Sequence, residues 1–125
     1  MVIFDTSIIV DASRSKPDAI NLIESYLGKE KIAITVISKY EMLRGVTEHD
    51  ASFVSQLLEK FVIYDFEDCA VREVVEAYKK LAQKGKMINE LDLIIAGIAL
   101  ANNETLITKD RDFLNFESEK IKVIK

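Results

Sequence analysis

Residues 1–11, MVIFDTSIIVD, begin with a short apolar run that stops abruptly at Asp5. A continuous run of four apolar residues is the pattern of a strand covered on both faces. A secretory leader would need a basic start and an unbroken apolar stretch. Here no basic residue precedes Arg14 and Asp5 interrupts the apolar residues, so the segment reads as part of the folded protein. An acid placed directly after a buried strand is then the first feature that needs a chemical explanation.

Outward from this stretch, helix and strand patterns alternate. A helix is expected over residues 18–27, with Pro17 near its first turn, Gly28 as its stop, and Ile20, Ile23, Tyr26 and Leu27 on one face. Residues 31–35 read as the second strand, and residues 37–44 as a helix ending at Gly45. Asp50 is placed to cap a helix running to about residue 60, and residues 61–64 form the third strand. Residues 69–83 make a strong amphipathic helix whose stripe is Ala70, Val71, Val74, Val75, Tyr78, Leu81 and Ala82, with Gly85 beyond it. Residues 91–101 are apolar almost all round, as in a buried helix, and residues 105–108 and 121–124 supply strands four and five. Short strands separated by helices predict a parallel sheet covered on both faces. Right-handed crossovers put the carboxyl ends of all its strands at one edge, where such sheets bind ligands.

The 125 residues amount to a single domain, 1–125, large enough to bury roughly two-thirds of its unfolded surface. With 49% hydrophobic and 30% charged residues, the balance is that of a globular protein rather than a disordered one. No apolar run approaches the ~20 residues of a membrane span. The single cysteine, Cys69, has no partner for an internal disulfide and fits a reducing, cytoplasmic setting; on its amphipathic helix it is expected as a small buried hydrophobe. A net charge of −4 argues against attachment to nucleic acid by bulk charge. It leaves room for an enzyme whose acids gather around a cation.

Four acids stand where such a site is expected. Asp5 follows the first strand, Asp110 follows the fourth by two residues in LITKDRDF, Glu41 lies in the helix leaving the second strand, and Asp92 lies in the first turn of the apolar helix. Each alone has a local explanation: Asp5 as the cap of a turn starting at Thr6, Asp92 as a helix-start residue, Glu41 as a solvated charge beside Arg44, Asp110 as turn chemistry. Together, four carboxylates from separate elements meeting at one sheet edge would repel one another unless a cation neutralised them. Oxygen ligands without histidine or cysteine select Mg²⁺ or Mn²⁺. The natural task of such a site is phosphodiester hydrolysis.

At these residues the chain resembles the PIN-domain family. VIFDTSIIVD is similar to that family's opening motif, ISKYEMLRGV to its second acidic motif with Glu41 in place, LDLIIAGIAL to the third with Asp92, and TLITKDRDF to the fourth with Asp110. The size also resembles the VapC-type toxins of toxin–antitoxin pairs. The resemblance implies a three-layer α/β/α sandwich with a central parallel five-stranded sheet. It implies RNA cleavage dependent on Mg²⁺ or Mn²⁺, a homodimer, and a cognate antitoxin that blocks the site. By motif, Ser7 and Thr108 would support the acidic ligands and Asp112 is held open as an extra one. Leu91 departs from the polar residue that many relatives carry before the aspartate.

Phosphate contacts are expected from cations near the acidic edge. Arg44, three residues after Glu41, leads the candidates; Lys109 and Arg111 flank Asp110, Lys84 and Lys86 precede Asp92, and Arg14 and Lys16 follow the first motif. His49, with no nucleophile motif around it, reads as a surface residue. The apolar residues of segment 46–58 are candidates for a partner groove or for the core. Two rivals remain. A phosphoacceptor receiver domain has similar size and could use Asp65 and Lys109, but Asp5 is followed by Thr6 and Ser7 instead of a second acid, and Glu41 and Asp92 would have no role. A PIN fold retained only for binding would keep the shape without turnover.

Overall fold

Val2, Ile3 and Phe4 are all buried, as a strand without a solvent face requires. They form β1, the centre of the sheet. The computed structural model describes residues 1–116 and 118–124. Its elements are β1 (Val2–Phe4), α1 (Thr6–Ser13), α2 (Pro17–Leu27), β2 (Ile32–Thr35), α3 (Val36–Arg44), α4 (Ala51–Glu59), β3 (Val62–Tyr64), α5 (Asp68–Gln83), α6 (Glu90–Ala101), β4 (Thr105–Thr108), a 3₁₀ turn at Arg111–Asn115, and β5 (Ile121–Val123). Every pairing between neighbouring strands is parallel, in the order β3-β2-β1-β4-β5.

Alternation along the strands divides the core. Val2, Phe4, Ile32, Ile34 and Ile107 face α1, α2 and α4, whereas Ile3, Ala33 and Leu106 face α5 and α6. The result is a three-layer α/β/α sandwich. The strand order reverses between β1 and β4, and at such a switch point the loops leaving the two strands diverge to opposite faces and open a crevice. Asp5 and Asp110 are carried into it. The order also excludes the receiver arrangement, which runs 2-1-3-4-5.

Five expectations need correction. The helix α1 has no counterpart in the sequence reading: Asp5 accepts a hydrogen bond from the Thr6 amide (2.9 Å) and turns the chain straight from β1 into a helix. The stripe of α5 is narrower than its apolar residues suggest. Ala70 and Leu81 are buried with Val74 and Ala77 packed beside them, while Val71, Val75, Tyr78 and Ala82 are exposed. The cause is that α6 packs close against α5 at Gly97, and only the strip nearest that contact is covered. Cys69 is correspondingly exposed, because the inward position in the first turn of α5 belongs to Ala70. In α2, Leu27 likewise lies outside the buried face that Ala19 and Ile23 provide. Asp50 does stand at the start of α4, but its carboxylate accepts from Thr47 (3.0 Å) instead of capping the helix.

Candidate active site

Asp5 sits at the carboxyl end of β1 with 2% of its surface exposed. The β1–β4 register brings Thr108 beside it, and the Asp5 amide donates to the Ile107 carbonyl (2.9 Å). Three donors then fix the carboxylate. Thr108 donates to Oδ2 (2.8 Å), Ser7 donates to the same oxygen (3.3 Å), and the Thr6 amide donates to Oδ1. Burial pushes the Asp5 carboxyl up from the ordinary value; the three donors pull it back, and the charge of Asp110 adds to the upward shift.

Glu41 arrives from α3, which starts because Thr35, at the end of β2, caps the Ser38 amide (3.2 Å). The Thr6 hydroxyl donates to Glu41 Oε1 (2.8 Å) and lies 2.7 Å from the Ser38 hydroxyl. Glu41 is therefore tied to the residue that follows Asp5. Sequence reasoning missed Thr6 and Ser38. The only local sign was a hydroxyl residue beside each acidic motif, and their meeting spans more than 30 positions of chain.

Asp92 lies in the first turn of α6, where Asn89 caps the Leu91 amide (2.9 Å) and the helix dipole tolerates an anion. Its carboxyl is nevertheless pushed up to about 7, first by burial and then by the charges of Asp5, Asp110, Glu41 and Asp112. All of these acids thus bear on one group. Asp110 caps the 3₁₀ turn, accepting from the Asp112 amide (2.9 Å) and donating its own amide to Thr108 (3.0 Å). Thr108 consequently joins Asp5 to Asp110. Asp112 is exposed at the rim.

The donor set is made of hard carboxylate oxygens, the chemistry of Mg²⁺ or Mn²⁺. Among the described residues no three or more such side chains stand close enough together to hold a metal ion by themselves. The charges of the other acids thus disfavour ionised Asp92.

The cations lie around this pit, not in it. Arg44 is exposed, its guanidinium 5.2 Å from the centre of the Tyr40 ring. Arg14 shares with Glu41, Met42 and Val46 a cleft of about 310 Å³ between α1, α3 and α4. The Lys109 ammonium pairs with Asp11. Arg111, Lys84 and Lys86 are exposed, as are His49 and Asp65.

The family model that matches the chain is the PIN domain, over residues 2–118. The chain is 34% identical to Ribonuclease VapC2 of Rickettsia felis, covering 85% of this chain and 84% of that protein. It is 31% identical to Ribonuclease VapC1 of Methanocaldococcus jannaschii, covering 88% and 76%. Among solved structures, VapBC2 of Rickettsia felis, crystallised on a DNA fragment from its promoter, superposes with a TM-score of 0.89 at 28% identity over the full length of both chains. The DNA-bound VapBC of Salmonella typhimurium shares the fold, with a TM-score of 0.87 at 21% identity and 98% of each chain covered. The four acidic motifs, the sheet order and these relatives agree: the chain belongs to the PIN-domain family, alongside its VapC ribonucleases.

Proposed function

We propose that this protein is a metal-dependent endoribonuclease, the toxin of a toxin–antitoxin pair, and that Asp5, Glu41, Asp92 and Asp110 form its active site. The observation that carries the reading is the convergence of acids from four separate elements on the crevice where the strand order reverses. A bound Mg²⁺ or Mn²⁺ would supply positive charge at the scissile phosphate and acidity to water. The chain's own residues do the rest. Asp5, held by three donors, is a fixed acceptor that anchors the site. Asp110 is set at a constant distance from it through Thr108. Asp92, in the first turn of α6 with the other acids bearing on it, is assigned to take the proton of the attacking water. Arg44 and Lys109 stand beside the pit as candidates for the flanking phosphates.

The VapBC family is one of toxin–antitoxin systems, and the likeness of this chain to it supports a cognate antitoxin here as well. The exposed apolar row of Val71, Val75 and Tyr78 on α5 supports a second copy as a further partner. Among the described residues no helix is long and apolar enough to cross a membrane. A cytoplasmic location is part of this reading, in keeping with a single cysteine that has no internal disulfide partner.

The test is cleavage of an RNA panel by wild type and Asp5→Asn, with Mn²⁺, with Mg²⁺ and with chelator. Metal-dependent cutting that is absent from the variant is expected. Equal cutting by both proteins would trace the activity to a contaminant. Metal and RNA binding without turnover would leave a binding-only PIN domain.

Thr6 gives a finer check. Thr6→Val keeps the shape but releases Glu41. Loss of a hydrogen bond that orients a ligand typically lowers activity by about 10–100-fold. We expect that loss with little change in melting temperature, because Thr6 is only partly buried. An unchanged rate would mean that Glu41 needs no such support.

A further inference from the structure

Asp11, on α1, takes no part in the acidic pit, yet it is largely buried at 9% exposure. Its carboxylate holds two lysines. Oδ2 pairs with Lys109 and Oδ1 lies 3.3 Å from the Lys16 ammonium. The backbone strengthens the second link, for the Lys16 amide donates to the Asp11 carbonyl (3.0 Å). The three groups stand in a cleft of about 810 Å³ between α1, the start of α2 and the loop after β4, with Leu22 and Ile124 among its apolar lining.

The cleft lies on the opposite face of the sheet edge from the pit. Thr108 holds Asp5 and Asp110 bears on Asp92 of α6, whereas Lys109, between them in sequence, packs with α1 and α2. A strand of RNA cut at the pit extends to either side of it, and this edge is one of the paths open to it. An isolated lysine there would wave in solvent and lose rotamer entropy on meeting a phosphate. Two lysines drawn to one buried carboxylate are already ordered before a phosphate arrives.

We propose that Asp11 is a positioning residue that gathers Lys109 and Lys16 into a phosphate-binding shelf for the RNA strand beyond the cleavage site. The proposal rests on the nuclease reading above. It goes beyond that reading by giving the strand a path, from the pit across the β1–β4 edge toward the start of α2.

The experiment measures binding of a short fluorescent single-stranded RNA in chelator over a tenfold range of salt, together with steady-state cleavage in Mn²⁺. Lys109→Met and Lys16→Met are each expected to flatten the slope of log affinity against log salt by about 0.7, and to weaken binding about fivefold at 0.1 M salt, the contribution of one single-strand phosphate. In cleavage the loss falls on KM rather than on kcat. Asp11→Asn and Asp18→Asn provide the decisive comparison. Both remove one negative charge from the same cleft, and Asp18 stands outside the triad. Charge alone predicts tighter RNA binding by both. Positioning predicts that Asp18→Asn tightens binding while Asp11→Asn weakens it, and that Asp11→Glu recovers part of the loss. Unchanged salt slopes for both lysine variants, or tighter binding by Asp11→Asn, would overturn the shelf while leaving the nuclease intact. If wild type neither binds nor cuts any RNA, the nuclease reading itself falls.

Discussion

Asp92→Asn is expected to lower RNA cleavage by about a thousandfold and, in the same protein freed of divalent cation, to raise the melting temperature at pH 8. The first effect follows from the loss of a group suited to accept a proton, a role worth roughly 10²–10⁴ in rate. The second follows from the charge around it. Burial and the charges of Asp5, Asp110, Glu41 and Asp112 lift the Asp92 carboxyl from 3.8 to about 7. The folded chain therefore binds a proton that the unfolded chain has released. This preference favours folding below about pH 4 and fades as pH climbs to about 7; above that, ionised Asp92 costs the metal-free fold its full penalty. Because Asp92 is only half-buried, solvent screening reduces that penalty to about 1–2 kcal/mol, or roughly 3–8 °C in Tm. An uncharged isostere removes it. Thermal melts at pH 5 and pH 8 with chelator check the sign: the variant's advantage should appear at pH 8 and shrink at pH 5. An advantage of equal size at both would locate the gain in packing, and full cleavage by the variant would remove Asp92 from the site.

Gly97→Ala is expected to destabilise the fold by about 1–3 kcal/mol, although alanine is ordinarily the better helix residue by about 1 kcal/mol. A Cβ at Gly97 would overlap Val74 Cγ2 and come within 3.2 Å of the Val74 nitrogen and 3.3 Å of the Ala70 carbonyl oxygen. Val74 is β-branched and stiff at χ1, so its methyl group has little room to rotate away. The backbone atoms behind it cannot yield without moving α5 from α6. Asp92 rides on α6 five residues earlier, so the displacement should reach the site, and activity should fall further than stability alone explains. Val74→Ala in the same chain empties the overlapped space and should recover part of both losses. Chemical denaturation of the single and double variants measures the coupling directly. Additive losses would mean that the two helices do not meet as described.

Much of this protein is local chemistry and was visible as such. The runs at residues 1–4, 31–35 and 105–108 read as short strands and residues 91–101 as a buried helix, and the structure has an element of that type at each. Asp5 and Asp92 stand out because each borders an apolar element, whereas Glu41 and Asp110 lie in polar stretches and gained meaning only as part of the four-acid pattern. Cys69 and the outer row of α5 were misplaced for the complementary reason. A helix with apolar residues on adjacent rows does not announce which row meets its neighbour, and here the small residues Ala70, Ala77 and Gly97 chose the inner one by allowing close approach.

What only the tertiary structure decided is the set of meetings between distant positions. The sequence order of the strands says nothing of the spatial order β3-β2-β1-β4-β5, which makes β1 and β4 neighbours and opens the crevice between their ends. Thr108 reaches Asp5 across 103 positions, Thr6 reaches Glu41 across 35, and Lys109 reaches Asp11 across 98. Residue identities limit what each group can donate or accept. Which donor finds which acceptor depends on the sheet register and helix packing, which are selected by burying the whole core at once.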